Sequence, residues 1–226
     1  MKRSKKYQSA LSNIDKAKKY SPTDALGLLP KLSLTKFAGS ISIQLFLNLN
    51  EKQKKDSIRG SYTLPNTFGK SLKVLAIVDK SEIEKAKDAD IVGGEELFKD
   101  IEAGKLEFDL VITTPMMMGK LARLGKTLGS KGLMPNPKNG TITTNLSESI
   151  KKFKQGMKNF KSVNGAPITA VIGKSDMTTE QLQGNLDAFV KAVINETKKY
   201  SSTPIKRAIL TTTMGPKVEL DASYLV

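Results

Sequence analysis

From residue 41 to residue 49 the chain alternates: Ile41, Ile43, Leu45, Leu47 and Leu49 are separated by Ser42, Gln44, Phe46 and Asn48. A period of two belongs to a half-buried strand with one wet face. ITAVIGK (168–174) and KRAILTTT (206–213) read as further strands. Between them TTEQLQGNLDAFVKAVINETKK sets Leu182, Leu186, Phe189 and Val193 on one face of a helix. The middle of the chain has a different rhythm. Short apolar runs within KVLAIVD (73–79), the segment 90–93 and FDLVITT (108–114) interleave with helical stretches. These are SEIEKAKDA, capped by Ser81, GEELFKDIEAGK, ending near Gly104, and NLSESIKKFKQ, opened by Asn145. Buried strands alternating with helices predict a parallel sheet with crossover helices, an α/β domain.

Neither flank alone carries enough strands for a stable sheet. The flanks, 1–65 and 157–226, are therefore expected to form one α+β domain, with an α/β domain, 66–156, inserted between them. Charge supports the division. Against a net charge of +15, residues 66–156 hold 15 basic and 12 acidic groups, and the flanks hold 22 and 10. Within the middle, 66–114 carries 7 basic and 11 acidic groups, while 115–156 carries 8 and 1. Such an excess points to a polyanionic partner. Arginine occurs only at positions 3, 59, 123 and 207, so the charge is almost all lysine, which binds phosphate as a point charge and does not read guanine edges with a planar fork.

The chain has no cysteine and no histidine, which removes disulfides, thiolate chemistry and the usual general base and metal ligand. No catalytic residue, metal site or cofactor is expected. No apolar run approaches the roughly 20 residues that cross a bilayer, and no basic helix carries a long aromatic-rich face, so no membrane partner is expected. The start, MKRSKKYQSALSNIDKAKKY, has no arginine beyond Arg3 and runs into a helical pattern, as a mature N-terminus does and a transit peptide does not.

Three stretches invite chemistry. FDLVITTPMMMGKLARLGKTLG ends near Gly125-Lys126-Thr127, the closing triplet of a phosphate-binding loop, which would make the chain a nucleotide-binding enzyme. The spacing fails: five residues, all helix formers, separate Gly119 from Gly125 where such a loop has four. A helix packed on the sheet is expected instead. GSKGLMPNPKNGT (129–141) is rich in Gly, Pro and Asn and reads as a rigid irregular loop, one that also presents Lys126, Lys131 and Lys138 to phosphates. TTTMGP (211–216) reads as a rigid turn with exposed amides and hydroxyls, suited to ribose and phosphate or simply a hairpin end. Phe37 either stacks on a base, for ~1–3 kcal/mol, or belongs to the core, the default for an isolated Phe.

Taken in order, KFAGSISIQ, IRGSYTLPNTFGK, IVGGEEL, LGKTLGSKGLMPNPKNGT, IGKSDM and TTTMGP resemble the bacterial-type large-subunit ribosomal protein L1 family across nearly the whole chain. The resemblance implies a split β-α-β (α+β) domain from both termini with an inserted Rossmann-like three-layer α/β domain. It implies that the split domain grips large-subunit ribosomal RNA at the mobile stalk near the tRNA exit site, in the cytoplasm or an organelle. The contacts would fall on Lys36, Phe37, Ser40 and Ser42, on Gly173, Lys174 and Ser175, and on Thr211, Thr213, Met214 and Gly215. The inserted domain would swing about hinges at Pro65 and Gly69 and at Gly156 and Lys158, accompanying deacylated exit-site tRNA. Other implied partners are further large-subunit components and the protein's own mRNA leader, whose translation it would repress. Ser42 departs from the family's usual glutamate, Ser57 from a glutamine, Thr169 from a frequent histidine, Met116 from a common aspartate, and Ser130-Lys131 from Pro-Arg.

Overall fold

A computed structural model describes residues 4–15, 18–69, 72–198, 200–201 and 203–225, without the side chains of Lys52, Lys54, Lys80, Ser81 and Lys138. Helix α1 (Lys5–Ser12) opens on Ser4, whose hydroxyl accepts from Tyr7 N–H. Helix α2 (Pro22–Leu28) opens on Ser21 with proline at its first position, where a missing N–H costs nothing. Strand β1 (Ser40–Leu47) follows, then the single turn α3 (Glu51–Lys54) and strand β2 (Ile58–Thr63). The middle of the chain supplies β3 (Val74–Ile77), β4 (Ile91–Gly93), α4 (Phe98–Glu102), β5 (Leu110–Thr113), α5 (Pro115–Leu121), α6 (Gly125–Ser130) and α7 (Leu146–Lys154). The last part returns with β6 (Met157–Ser162), β7 (Ile168–Lys174), α8 (Thr179–Thr197), β8 (Ile205–Thr212) and β9 (Lys217–Leu220).

The chain divides into two compact units: residues 1–68 with 158–226, and residues 69–157. In the first, a four-stranded sheet has the order β7-β1-β8-β9, with β1 antiparallel to both neighbours. The alternation that predicts β1 places Ile41, Ile43 and Leu45 wholly inside, while Ser42 and Gln44 stay half-exposed. Leu49 lies beyond the strand's end. Against the inner face sits α8, which buries Leu182, Leu186, Phe189 and Val193 as its spacing predicts. Its N-terminus is closed by a capping box, Thr178 and Gln181 each satisfying the other's backbone N–H. A two-stranded sheet of β2 and β6 adds the aromatic cluster Tyr62, Phe160 and Phe189, with ring centroids 4.9–6.3 Å apart. Gly60 on β2 is required there, because a Cβ would stand 2.6 Å from the Phe160 ring.

In the second unit three parallel strands take the order β4-β3-β5. The central strand is buried on both faces, as its unbroken apolar run predicts. Val74, Ala76 and Val78 face one core with Leu146, Ile150 and Phe153 of α7. Leu75 and Ile77 face the other, with Ile101 of α4, Met117 and Leu121 of α5, and Leu128 of α6. Gly104 takes φ +68° where α4 stops, and the amides of Gly104 and Lys105 close back on Ile101 and Asp100.

Two local expectations are corrected. The segment from Ser81 is not a capped α-helix but part of a 3₁₀ turn, Lys80–Ala86, begun when Asp79's carbonyl accepts from Glu82 N–H at 2.8 Å. Asn145 sits at the start of α7, but its side chain makes no capping bond, and Thr143 Oγ1 instead accepts from the Asn145 amide.

Candidate functional site

Three segments far apart in sequence meet at one end of the four-stranded sheet. Strand β1 begins there, and β7 and β8 both end there. The register sets Ser40 opposite Lys174, Ile41 opposite both Gly173 and Thr212, and Ser42 opposite Thr211. Beyond the ladder, Thr213 Oγ1 accepts from Ser40 N–H at 2.9 Å, Thr213 N–H donates to the Ser40 carbonyl at 3.0 Å, and Ser175 N–H donates to the Gly39 carbonyl at 2.8 Å. On the outer face the hydroxyls of Ser42 and Thr211 lie 2.9 Å apart and share one hydrogen bond. This row of hydroxyls has its geometry fixed by the sheet while each oxygen keeps spare capacity for a further partner.

The segment leading into β1 is exposed at Lys36, and Phe37 is 64% exposed, which overturns the default of a core position for this ring. The turn after β8 places Met214 at φ +64° with 75% of its surface in water. An apolar side chain held outward in a left-handed turn buries nothing in the fold. Gly215 is different. A Cβ there would collide with the Thr212 hydroxyl and stand 3.1 Å from the Leu32 carbonyl, so a Gly215→Val chain cannot keep this fold undisturbed while losing only recognition. Gly173 is buried, with no room for a Cβ against Leu182 and Met177, so its side faces the core and only its backbone is available.

The structure adds residues that the motifs do not reveal. Helix α1 borders the turn, and a cleft of about 630 Å³ is lined by Lys6, Tyr7, Leu34, Thr35, Met214 and Gly215. A second, of about 720 Å³, shares Tyr7 and Gly215 and has Thr211, Arg207, Lys217 and Glu219 among its walls. Pairing of Thr211 with Lys217 could not be foreseen, because β9 carries no strand signal of its own. Arg207 is salt-bridged to Glu219, and this guanidinium holds the Glu219 carboxyl below the usual glutamate range.

In the second unit Arg123, Lys126 and Lys131 are exposed, and the Lys138 side chain lies outside the described residues. Gly125-Lys126-Thr127 forms the first turn of α6, with Gly125 at φ −55°, and not a loop that could wrap a phosphate. The 129–141 stretch is a structured connection. Thr141 Oγ1 accepts from Asn136 N–H at 2.7 Å, and Gly132 and Gly140 take φ near +70°. Of the residues at the two crossings between units, Pro65 is exposed, Gly69 has φ +88° and Gly156 φ +95°. The Lys158 ammonium lies 3.9 Å from the Phe68 ring centroid, and burial lowers its pKa. Among the described residues no group of acidic side chains could hold a metal ion, and no helix is long and apolar enough to cross a membrane.

The sequence pattern of the ribosomal protein L1p/L10e family matches residues 29–216. The chain is 39% identical over 228 residues to the large ribosomal subunit protein uL1 of Lactobacillus delbrueckii subsp. bulgaricus, covering 100% of this chain and 99% of that one. It is similarly 39% identical to uL1 of Mycoplasma genitalium, with 97% of each chain covered. With uL1 of Streptomyces coelicolor it shares 36%, over 98% of this chain and 93% of the relative.

Proposed function

The chain belongs to the ribosomal protein L1p/L10e family, and on that premise we propose that it holds large-subunit ribosomal RNA at the stalk through the end of its four-stranded sheet. It is a protein of the large ribosomal subunit and not an enzyme. The observation that carries the reading is the convergence of 36–42, 173–175 and 211–215, with Phe37 and Met214 turned outward beside a row of hydroxyls. Lysines supply sequence-independent attraction through counterion release. The hydroxyls, the backbone of the turn and the exposed Phe37 then read RNA shape, which an almost arginine-free surface could not do through guanine edges.

The first unit, in this reading, is the discontinuous RNA-binding domain, and the second is a Rossmann-like insert that swings at Pro65 and Gly69 and at Gly156 and Lys158. The two left-handed glycines support pivots at Gly69 and Gly156, where no side chain of their own restricts the backbone. The basic side of the insert, with Lys126, Lys131 and Lys138, follows deacylated tRNA from the exit site. The same RNA-binding end represses translation of the protein's own mRNA where the leader imitates the ribosomal site. Filter binding to a stalk rRNA fragment, beside an unrelated hairpin of equal length, tests the reading. Selective retention of the stalk fragment is expected, and equal retention of the two RNAs would refute it.

A further inference from the structure

Asn185 lies inside α8 with no exposed surface, at a depth where packing alone calls for a leucine. A buried amide is tolerated when its hydrogen bonds are made, and here three are made, all to backbone distant in sequence. Its Oδ1 accepts from Asn66 N–H at 2.9 Å. Its Nδ2 donates to the Asn66 carbonyl at 2.8 Å and to the Ile172 carbonyl at 2.8 Å. Asn66 stands two residues before Phe68, where the chain first leaves its unit. Ile172 directly precedes Gly173, Lys174 and Ser175, the end of β7 at the candidate RNA face. One side chain therefore holds both the departing chain and the edge of that face.

The surroundings make this junction stiff up to Phe68. Asn66 Nδ2 donates to the Gln181 carbonyl in the first turn of α8, at 3.2 Å. Gly173 leaves no room for a Cβ against Leu182 of the same helix, so the end of β7 packs closely on α8. Lys158 on the second crossing stacks over Phe68 on the first. Just past this clasp, Gly69 has φ +88° and open space around its Cα.

We propose that Asn185 is a positioning residue that couples RNA occupancy at Gly173–Ser175 to the setting of the first chain crossing at Asn66, a regulation of the site read under Proposed function and resting on that reading. RNA that orders the end of β7 fixes the Ile172 carbonyl, and through one amide plane fixes Asn66. The pivot then starts from a defined direction when RNA is bound and from a looser one when it is not.

The test is amide hydrogen exchange at Asn66 in the full chain, with and without a saturating stalk rRNA fragment. Coupling slows this exchange by about five- to 150-fold, the span of ordinary allosteric coupling. A second readout uses Asn185→Leu, which keeps the branched shape and the number of side-chain heavy atoms and removes all three bonds. The chain has no cysteine, so Lys152→Cys and Lys191→Cys take fluorophores cleanly, one on each unit. RNA should shift energy transfer between them in the wild-type background and shift it much less with Asn185→Leu. An Asn66 exchange rate that RNA leaves unchanged, or a full-sized shift in Asn185→Leu, overturns the proposal. Should Asn185→Leu fail to fold, the wild-type exchange decides alone. A wild-type chain that binds the stalk fragment no better than an unrelated hairpin is a separate outcome, and it removes the functional reading together with the coupling.

Discussion

Met214 and Gly215 are neighbours in one turn, yet substitutions at them should fail in opposite ways. In Gly215→Val the new Cβ meets the Thr212 hydroxyl and the Leu32 carbonyl, and the carbonyl is backbone that cannot rotate aside. Overpacking of this kind costs about 1–3 kcal/mol, and at ~2–4 °C per kcal/mol for a chain of this size the melting midpoint falls by roughly 2–12 °C. Met214 is 75% exposed, so Met214→Asp removes little packing, and aspartate tolerates a positive φ better than methionine. Its effect on stability should stay within about 0.5 kcal/mol. On RNA the same change sets a carboxylate beside phosphates. One such pair at ~5 Å and an effective dielectric of ~20 is unfavourable by about 3 kcal/mol, or roughly two orders of magnitude in affinity. Circular-dichroism melts and filter binding on the same preparations separate the two effects. A Gly215→Val chain that melts with the wild type would refute the packing argument, and Met214→Asp at full affinity would show that the turn does not touch RNA.

Three further variants probe the face, the ion pair beside it and, separately, the insert. Thr213→Val leaves Ser40 N–H without its side-chain acceptor, which should lower stability by about 1 kcal/mol in urea titrations and weaken RNA binding as well. Charge reversal by Lys126→Glu with Lys131→Glu should leave the melt unchanged while reducing tRNA affinity and flattening its salt dependence in gel-shift assays. Glu219 is held below the usual glutamate range by Arg207, so its stabilisation is present above the unfolded value and is lost as pH falls through the folded one. Glu219→Gln should thus melt below the wild type near neutrality and converge with it in acid. The gap should be under ~1 kcal/mol, because the Arg207 side chain is partly solvated.

The parts of the fold that announce themselves are those whose periodicity is clean. Ile41, Ile43 and Leu45, the strand 168–174, and Leu182 through Val193 on α8 all lie where their spacing places them. Strands β2, β6 and β9 were not legible: IRGSYT and MKNFKS are polar and pair with each other from distant parts of the chain, and KVEL, the second arm of a hairpin with β8, is only four residues long. Lys80–Ala86 failed for a related reason: seven residues between two strands close in the tighter 3₁₀ pattern, and propensity does not distinguish it from an α-helix. At the candidate site, TTTMGP and KFAGS could be picked out as motifs, but their meeting depends on the β1–β8 register. The contribution of Tyr7 and Lys6, from a helix near the other end of the sequence, needed the fold. Composition alone misjudged Phe37, since a lone phenylalanine carries no signal of which way it points.

Selective binding of RNA by the sheet end is measured most directly by a salt series. Binding of the stalk rRNA fragment should weaken with a log–log slope of about −0.7 to −0.9 per phosphate neutralised. Met214→Asp should lower affinity most at low salt and flatten that slope, because its carboxylate repels the phosphates and salt screens the repulsion. A stalk fragment that binds no more tightly than an unrelated hairpin at any salt, with Met214→Asp indistinguishable from the wild type, would contradict selective binding by the sheet end.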